Sequence, residues 1–298
     1  MLNNIHIQNF RCFEDFKAEG FERINLIGGK NNSGKTCLLE ALGTFSNHYS
    51  FIELVSLRGL QSSIYKNINH LDEGFEINAS LGSESKVINV IGDSIGIDNP
   101  RNGYLDLYLL FPNKELPKID ILTSFDNFKD KTIKQVVKVL KCVDDRIDNI
   151  RTYATKQGLW LKKKDDDDDQ PLEFYGDATK KVIKYFTPFF EKSLKIVANK
   201  FGSYLLIDEI ENGIHHTAHE EFWKNIFKIS KELNVQVFAT THSLEMITAF
   251  NLVAKQYGEG AYFEMSREYG TNKIFAFKHD TELLTYELEK TESTLRGE

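Results

Sequence analysis

Residues 24–40 read INLIGGKNNSGKTCLLE. Ile24, Leu26 and Ile27 predict a short buried strand, and Cys37 to Phe45 predicts a helix. Between them, Gly29-Lys30-Asn31-Asn32-Ser33-Gly34-Lys35-Thr36 fits G-x-x-x-x-G-K-[ST], the phosphate-binding P-loop. Strand, glycine-rich turn and helix must come in that order for the chemistry to work. Gly29 and Gly34 let the backbone curl, so that successive N–H groups up to Cys37 point at phosphate oxygens. The helix N-terminus adds partial positive charge behind them. Lys35 is then placed to reach the outer phosphates, and Thr36 offers a hydroxyl to Mg²⁺.

A second motif lies far downstream. Tyr204, Leu205, Leu206 and Ile207 predict a buried parallel strand that ends in Asp208 and Glu209. This pattern is the Walker B partner of a P-loop. Asp208 is expected to hold Mg²⁺, directly or through water, and Glu209 to orient or deprotonate an attacking water. Val235-Gln-Val-Phe-Ala-Thr-Thr-His-Ser predicts a further buried strand ending in polar residues, among them His242. The strands ending at Gly28, Asp208 and Thr241 are expected to lie side by side, because all three ends serve one nucleotide.

Length and composition fit this reading. The chain has 298 residues, 41% of them hydrophobic, and a net charge of −7 from 37 basic and 44 acidic residues. That balance argues against a surface coated in nucleic acid but leaves room for a local basic groove. Lys180, Lys181, Lys184 and Lys192 are candidates for such a face, or else simply exposed lysines on a helix. Cys12, Cys37 and Cys142 lie far apart without metal spacing, which suits a reducing cytoplasm. The N-terminus alternates like a strand and does not resemble a signal peptide, and no apolar run approaches the roughly 20 residues that span a membrane.

Over roughly residues 1–60 and 172–298 the chain resembles RecF/SMC-type ABC ATPase heads, and among these the OLD-like prokaryotic ATP-binding proteins. The resemblance rests on I-x-I-x-N-F-R-C-F at the start, the P-loop stretch, and Leu39-Glu40-Ala41-Leu42. It implies an α/β fold: a P-loop NTPase of ABC-head type, with a mixed sheet and an inserted α+β lobe. Core halves are expected at 1–50 and 172–298, with the lobe at 51–171. Within that lobe, strands are expected at 75–81, 86–91 and 104–111, a helix at 131–143, and a hairpin turning near Gly158.

The same resemblance assigns Asn9-Phe10-Arg11 to the adenine or ribose side, although locally it is a polar turn. It makes Glu211-Asn212-Gly213-Ile214-His215 a D-loop at a dimer interface, and His242 the switch histidine that senses the γ-phosphate. It implies ATP and Mg²⁺ as cofactors, an ATP-dependent homodimer, and DNA as a candidate partner in repair, chromosome maintenance or antiphage defence. The signature motif should precede Walker B. There Gly176, Asp177, Lys180 and Lys181 fit a G-D-G-x-[KR]-[KR] pattern while Ala178 departs from it, which puts action in trans in doubt. Gln61 is a Q-loop candidate by position alone.

Three readings of function remain at this point: a hydrolysing head, a slow nucleotide-gated clamp, and a transporter subunit. The last lacks the usual serine-bearing signature. OLD-like proteins often carry a TOPRIM nuclease. Residues 243–298 are accounted for by one helix, one hairpin and a terminal helix, so a separate TOPRIM-like partner is expected. Its candidate docking surfaces are the lobe and the terminal helix with Leu283, Leu284, Tyr286 and Leu288. The run Asp165 to Asp169 is read as a solvated loop tip and is given no function.

Overall fold

A computed structural model describes residues 1–46, 75–81, 84–91, 94–98, 106–110, 118–153, 155–194 and 203–290. Its centre is a six-stranded sheet in the order β14-β13-β3-β12-β11-β7. These strands are β3 (Ile24–Gly29), β7 (Asp106–Leu110), β11 (Ser203–Ile207), β12 (Val235–Thr240), β13 (Ala261–Arg267) and β14 (Ile274–His279). All neighbours pair in parallel except the antiparallel β13–β14 hairpin at one edge. β3 and β12 are covered on both faces, so their sequences run apolar with little alternation.

β1 (Leu2–Phe10) and β2 (Phe13–Glu19) open a second, antiparallel sheet in the order β2-β1-β4-β5-β6. It continues through β4 (Phe75–Leu81), β5 (Glu84–Ile91) and β6 (Ser94–Asp98). Helix α1 (Lys35–Ser46) follows the P-loop directly. Its Leu38, Leu39, Ala41 and Leu42 share one core with Ile5, Ile7 and Phe10 of β1 and with Ile27, Leu206 and Phe238 of the central sheet. The P-loop helix is therefore clamped between two sheets, which fixes where its N-terminus points.

The other face of the central sheet carries the remaining helices. These are α2 (Lys118–Asn127), α3 (Asp130–Leu140), α4 (Asp177–Leu194), α5 (His219–Leu233), α6 (Leu244–Tyr257) and α7 (Thr281–Lys290). α5 buries Phe222, Trp223, Ile226, Phe227 and Ile229 along one stripe and ends at Asn234, which takes the left-handed cap conformation at φ +51°. α6 starts at Ser243, whose hydroxyl accepts from Met246 N–H at 3.1 Å. A small sheet of β8 (Ile147–Tyr153), β9 (Lys156–Lys163) and β10 (Gln170–Pro171) packs beside α2 and α3.

Several local expectations shift. The strand expected at 104–111 is β7, and it lies in the central sheet, in parallel register with β11. β4 pairs with β1 across the chain, so the middle stretch feeds both large sheets. The hairpin turns between Tyr153 and Lys156, and Gly158 lies inside β9. Asp165 to Asp168 are exposed, whereas the Asp169 carboxylate is 7% exposed and accepts from Tyr153 Oη beside Arg151. On α7, Leu284 is buried and Leu288 packs on the core, so only Leu283 and Tyr286 face out. Gln61 lies outside the described residues.

Candidate active site

β3, β12 and β11 are adjacent and parallel, so their C-terminal ends open on one place. The P-loop leaves β3 there. Gly29 lies at φ +133° and Gly34 at φ +94°, both in the region that glycine alone enters freely. A Cβ on Gly29 would sit 2.2 Å from the Met265 carbonyl oxygen, so the close approach of loop and β13 requires glycine as well. Arg267 on β13 donates from Nε to the Asn32 carbonyl at 3.1 Å and ties the loop to the sheet edge. Lys35 is 6% exposed, and its Nζ donates to the Gly29 and Lys30 carbonyls at 2.7 and 2.8 Å. Burial pushes its pKa down to about 8, against the opposing pull of Asp208, Glu211 and Glu209.

Asp208 directly follows β11 and is 7% exposed. It accepts from Thr36 Oγ1 at 3.1 Å, which brings the P-loop and Walker B motifs together. Thr240, at the end of the strand between them, binds both acidic residues. Its Oγ1 donates to Asp208 at 2.6 Å and accepts from the Glu209 N–H at 2.9 Å. Glu209 takes a left-handed conformation at φ +51°, a strained state for a residue with a Cβ. Its carboxylate accepts from Asn212 Nδ2 at 3.2 Å. The His242 N–H donates to Glu211 at 2.7 Å, and burial together with the nearby Lys35 charge pushes the imidazole pKa below its ordinary 6.5. The ring is therefore neutral near pH 7.

Sequence reasoning missed Thr240, Glu211 as an anchor for His242, and Arg267. The signal for the first two was present: a third carboxylate in Asp-Glu-Ile-Glu and a doubled threonine before His242. Nothing local marked Arg267, because its partner is distant in sequence.

Arg11 has a partner other than the expected one. Its guanidinium pairs with Glu40 of α1 at 2.8 Å, with side chains 11% and 1% exposed, and so braces the P-loop helix against the β1–β2 turn. Among the signature residues, Gly176 and Asp177 are exposed and Ala178 is half-buried. Lys181 runs over Gly213 of the expected D-loop. Burial lowers its pKa while Asp177, Glu209 and Glu211 pull the other way. Lys184 has a partner, and the Lys192 side chain lies outside the described residues.

The site's chemistry suits a nucleoside triphosphate with a divalent cation. A glycine-rich loop presents backbone N–H groups at a helix N-terminus, and the buried Ser33 hydroxyl has no partner among the described residues. A lysine stands within the loop, and a threonine hydroxyl faces a buried carboxylate.

Comparison with known proteins agrees. A family profile described as the AAA ATPase domain matches residues 1–204, more than half of the chain. An ATP/GTP phosphatase of Helicobacter pylori is 24% identical over 340 aligned positions, covering 86% of this chain and 89% of that protein. The DNA replication and repair protein RecF of Shewanella sediminis is 37% identical over 81 residues, covering 26% of this chain and 22% of RecF. Among solved structures, an SMC head bound to the C-terminal winged-helix domain of ScpA superposes with a TM-score of 0.64 at 13% identity, covering 94% of this chain and 98% of that one. The chain belongs to the AAA ATPase domain family and is an ATPase with the fold of an SMC head. It binds ATP through the P-loop fold.

Proposed function

We propose that this chain is an Mg²⁺-dependent, OLD-like head that closes as an ATP-gated homodimer in DNA maintenance or antiphage defence. One observation supports the proposal above the rest: Lys35, Thr36, Asp208 and Glu209 meet at one sheet end, with Thr240 bonded to both acidic residues. Gly29 to Cys37 cradle the phosphates, and Lys35 exchanges its loop carbonyls for phosphate oxygens. Thr36 and Asp208 hold the cation, which when bound neutralises phosphate charge as a Lewis acid. Glu209, fixed by Thr240 and Asn212, accepts the proton of the attacking water. His242, neutral and anchored through Glu211, senses the outer phosphate. A TOPRIM-like nuclease encoded separately is the effector we favour, with the cytoplasm as its setting. Among the described residues no helix is long and apolar enough to cross a membrane.

Ala178 favours a second reading, a slow clamp whose output is the closed shape. Its Cβ stands where close backbone approach to phosphate would favour glycine. Light scattering and single-turnover hydrolysis on Glu209→Gln test both readings. The variant should bind ATP, dimerise with it, and hydrolyse about 10²-fold or more slowly. Wild-type turnover in that variant would remove Glu209 from its role. A chain that turns over rapidly and stays monomeric would rule out both the dimer and the clamp.

A further inference from the structure

The expected basic face on α4 is partly engaged elsewhere, but α3 carries another. Lys131, Lys134 and Lys138, with Lys141 at the C-cap, recur at helical spacing, and all four are exposed. None has an ion-pair partner among the described residues. Lys134, Lys138 and Lys141 line a groove of about 300 Å³ between α3 and β8, with Ile133 and Val137 also in its wall. Asp148 and Asn149 of β8 form the far side, and Asp148 is the carboxylate in that lining. Such a row of unpaired cations stands out on a chain whose net charge is −7.

We propose that this groove is a docking surface for the phosphate backbone of double-stranded DNA. The proposal rests on the reading that the head works in DNA maintenance, and it gives that reading a location. Three features select the partner. The four lysines span about 15 Å of helix, at roughly 1.5 Å per residue. Over that length one strand of a duplex presents about four phosphates, one per roughly 3.4 Å. The lysine heads are solvated and flexible, which suits a regular row of point charges more than a shaped peptide pocket. The buried face of α3, including Val136, Val139 and Leu140, shares a core with Val182, Ile183 and Phe186 of α4. A contact on the outer face of α3 is therefore one packed layer from the helix that begins at the signature residues. Backbone contacts of this kind position the duplex and carry no sequence preference.

Fluorescence anisotropy of the full chain with a labelled duplex of about 30 base pairs tests the site, across a salt series starting near 50 mM. The comparison is with the triple variant Lys134→Gln, Lys138→Gln, Lys141→Gln. Loss of three phosphate contacts should weaken binding by roughly tenfold or more at the lowest salt and reduce the salt slope by about 2.7. Basal ATPase activity without DNA should not change, and Asp148→Asn should tighten binding. Unchanged affinity and slope in the triple variant would overturn the proposal, as would a wild-type chain that ignores duplex at low salt. Weaker binding with an unchanged slope would exclude direct phosphate contact. Polyglutamate competing as well as unlabelled duplex would assign the groove to an acidic polypeptide instead. ATP hydrolysis, measured separately without DNA, reports on the ATPase reading whatever the groove does.

Discussion

The phosphate-binding end of the central sheet and the face formed by α3, β8 and β9 use the same charged side chains in opposite ways. At the sheet end Lys35 is 6% exposed and bonded to two loop carbonyls, and Arg11 and Glu40 form a pair at 11% and 1% exposure. On the α3 side the lysines stand in water, and the Arg146–Asp144 pair has side chains 57% and 16% exposed. The difference is one of solvent. A buried charge depends on its own partner, so losing that partner is costly. An exposed charge is screened, and it matters as part of a local field. The first region is built for a single geometry, and the second for a surface that can accept a polyanion without reshaping.

The sharpest way to break this contrast is to remove one member of each arginine–carboxylate pair. Arg11→Met leaves Glu40 buried inside the P-loop helix without that guanidinium. Urea unfolding should show a loss of about 3 kcal/mol, at the lower edge of the range for broken buried pairs because Arg11 keeps some exposure. Arg146→Met should lower the unfolding midpoint far less, since Arg146 is largely exposed and Asp144 keeps Lys163 as a partner at 2.8 Å. Equal effects from the two substitutions would mean that burial is not what separates the regions.

A smaller effect is expected one bond away from the chemistry. Thr240→Val keeps the shape of the side chain but removes the hydroxyl that Asp208 and the Glu209 N–H share. The left-handed Glu209 then loses the acceptor that holds its backbone. We expect kcat to fall by about tenfold, the scale of one well-placed hydrogen bond near 1.4 kcal/mol, with KM for ATP changed far less. Thr240→Ser should recover most of the rate. A loss that serine does not recover, or one that falls on KM instead, would mean Thr240 merely packs.

How much of this was legible in the sequence follows the same division. The P-loop, the Asp208–Glu209 strand end and the polar end at His242 are each contiguous, and the chemistry demands their residue order. Their meeting at adjacent parallel strand ends was therefore inferable. The partners that refine the site were not. Thr240 matters because β12 lies between β3 and β11, and Arg267 because β13 flanks the P-loop strand, both products of long-range pairing. The middle stretch was hardest for the same reason. β4 pairs with β1 and β7 with β11, and nothing local to those segments specifies either register. The lysines of α4 and α3 looked alike as sequence. Packing alone distinguished Lys181, laid over Gly213, from the open row on α3.

The smallest effect concerns pH, and it isolates the buried lysine from every exposed one. Burial holds Lys35 at about 8, well below its ordinary 10.5. Nucleotide phosphates favour its charged form, so the pKa in the complex lies above that of the free protein. Binding then takes up a proton once the solution passes pH 8. Affinity is at its full value below that point and falls as pH rises through it. From pH 7 to pH 8.5 the protonated fraction of the free protein drops by about fourfold, and the dissociation constant for ATP should rise by about the same factor. His242 adds nothing in this window, because its pKa is pushed below 6.5 and any limb it contributes lies on the acid side. A fluorescent ATP analogue titrated into Glu209→Gln, with Mg²⁺ in constant excess, gives the constant without interference from hydrolysis. A constant that stays flat over this range would mean that Lys35 keeps its proton at an ordinary lysine value. The contrast between the buried and solvated lysines would then rest on contacts alone and not on their charge equilibria.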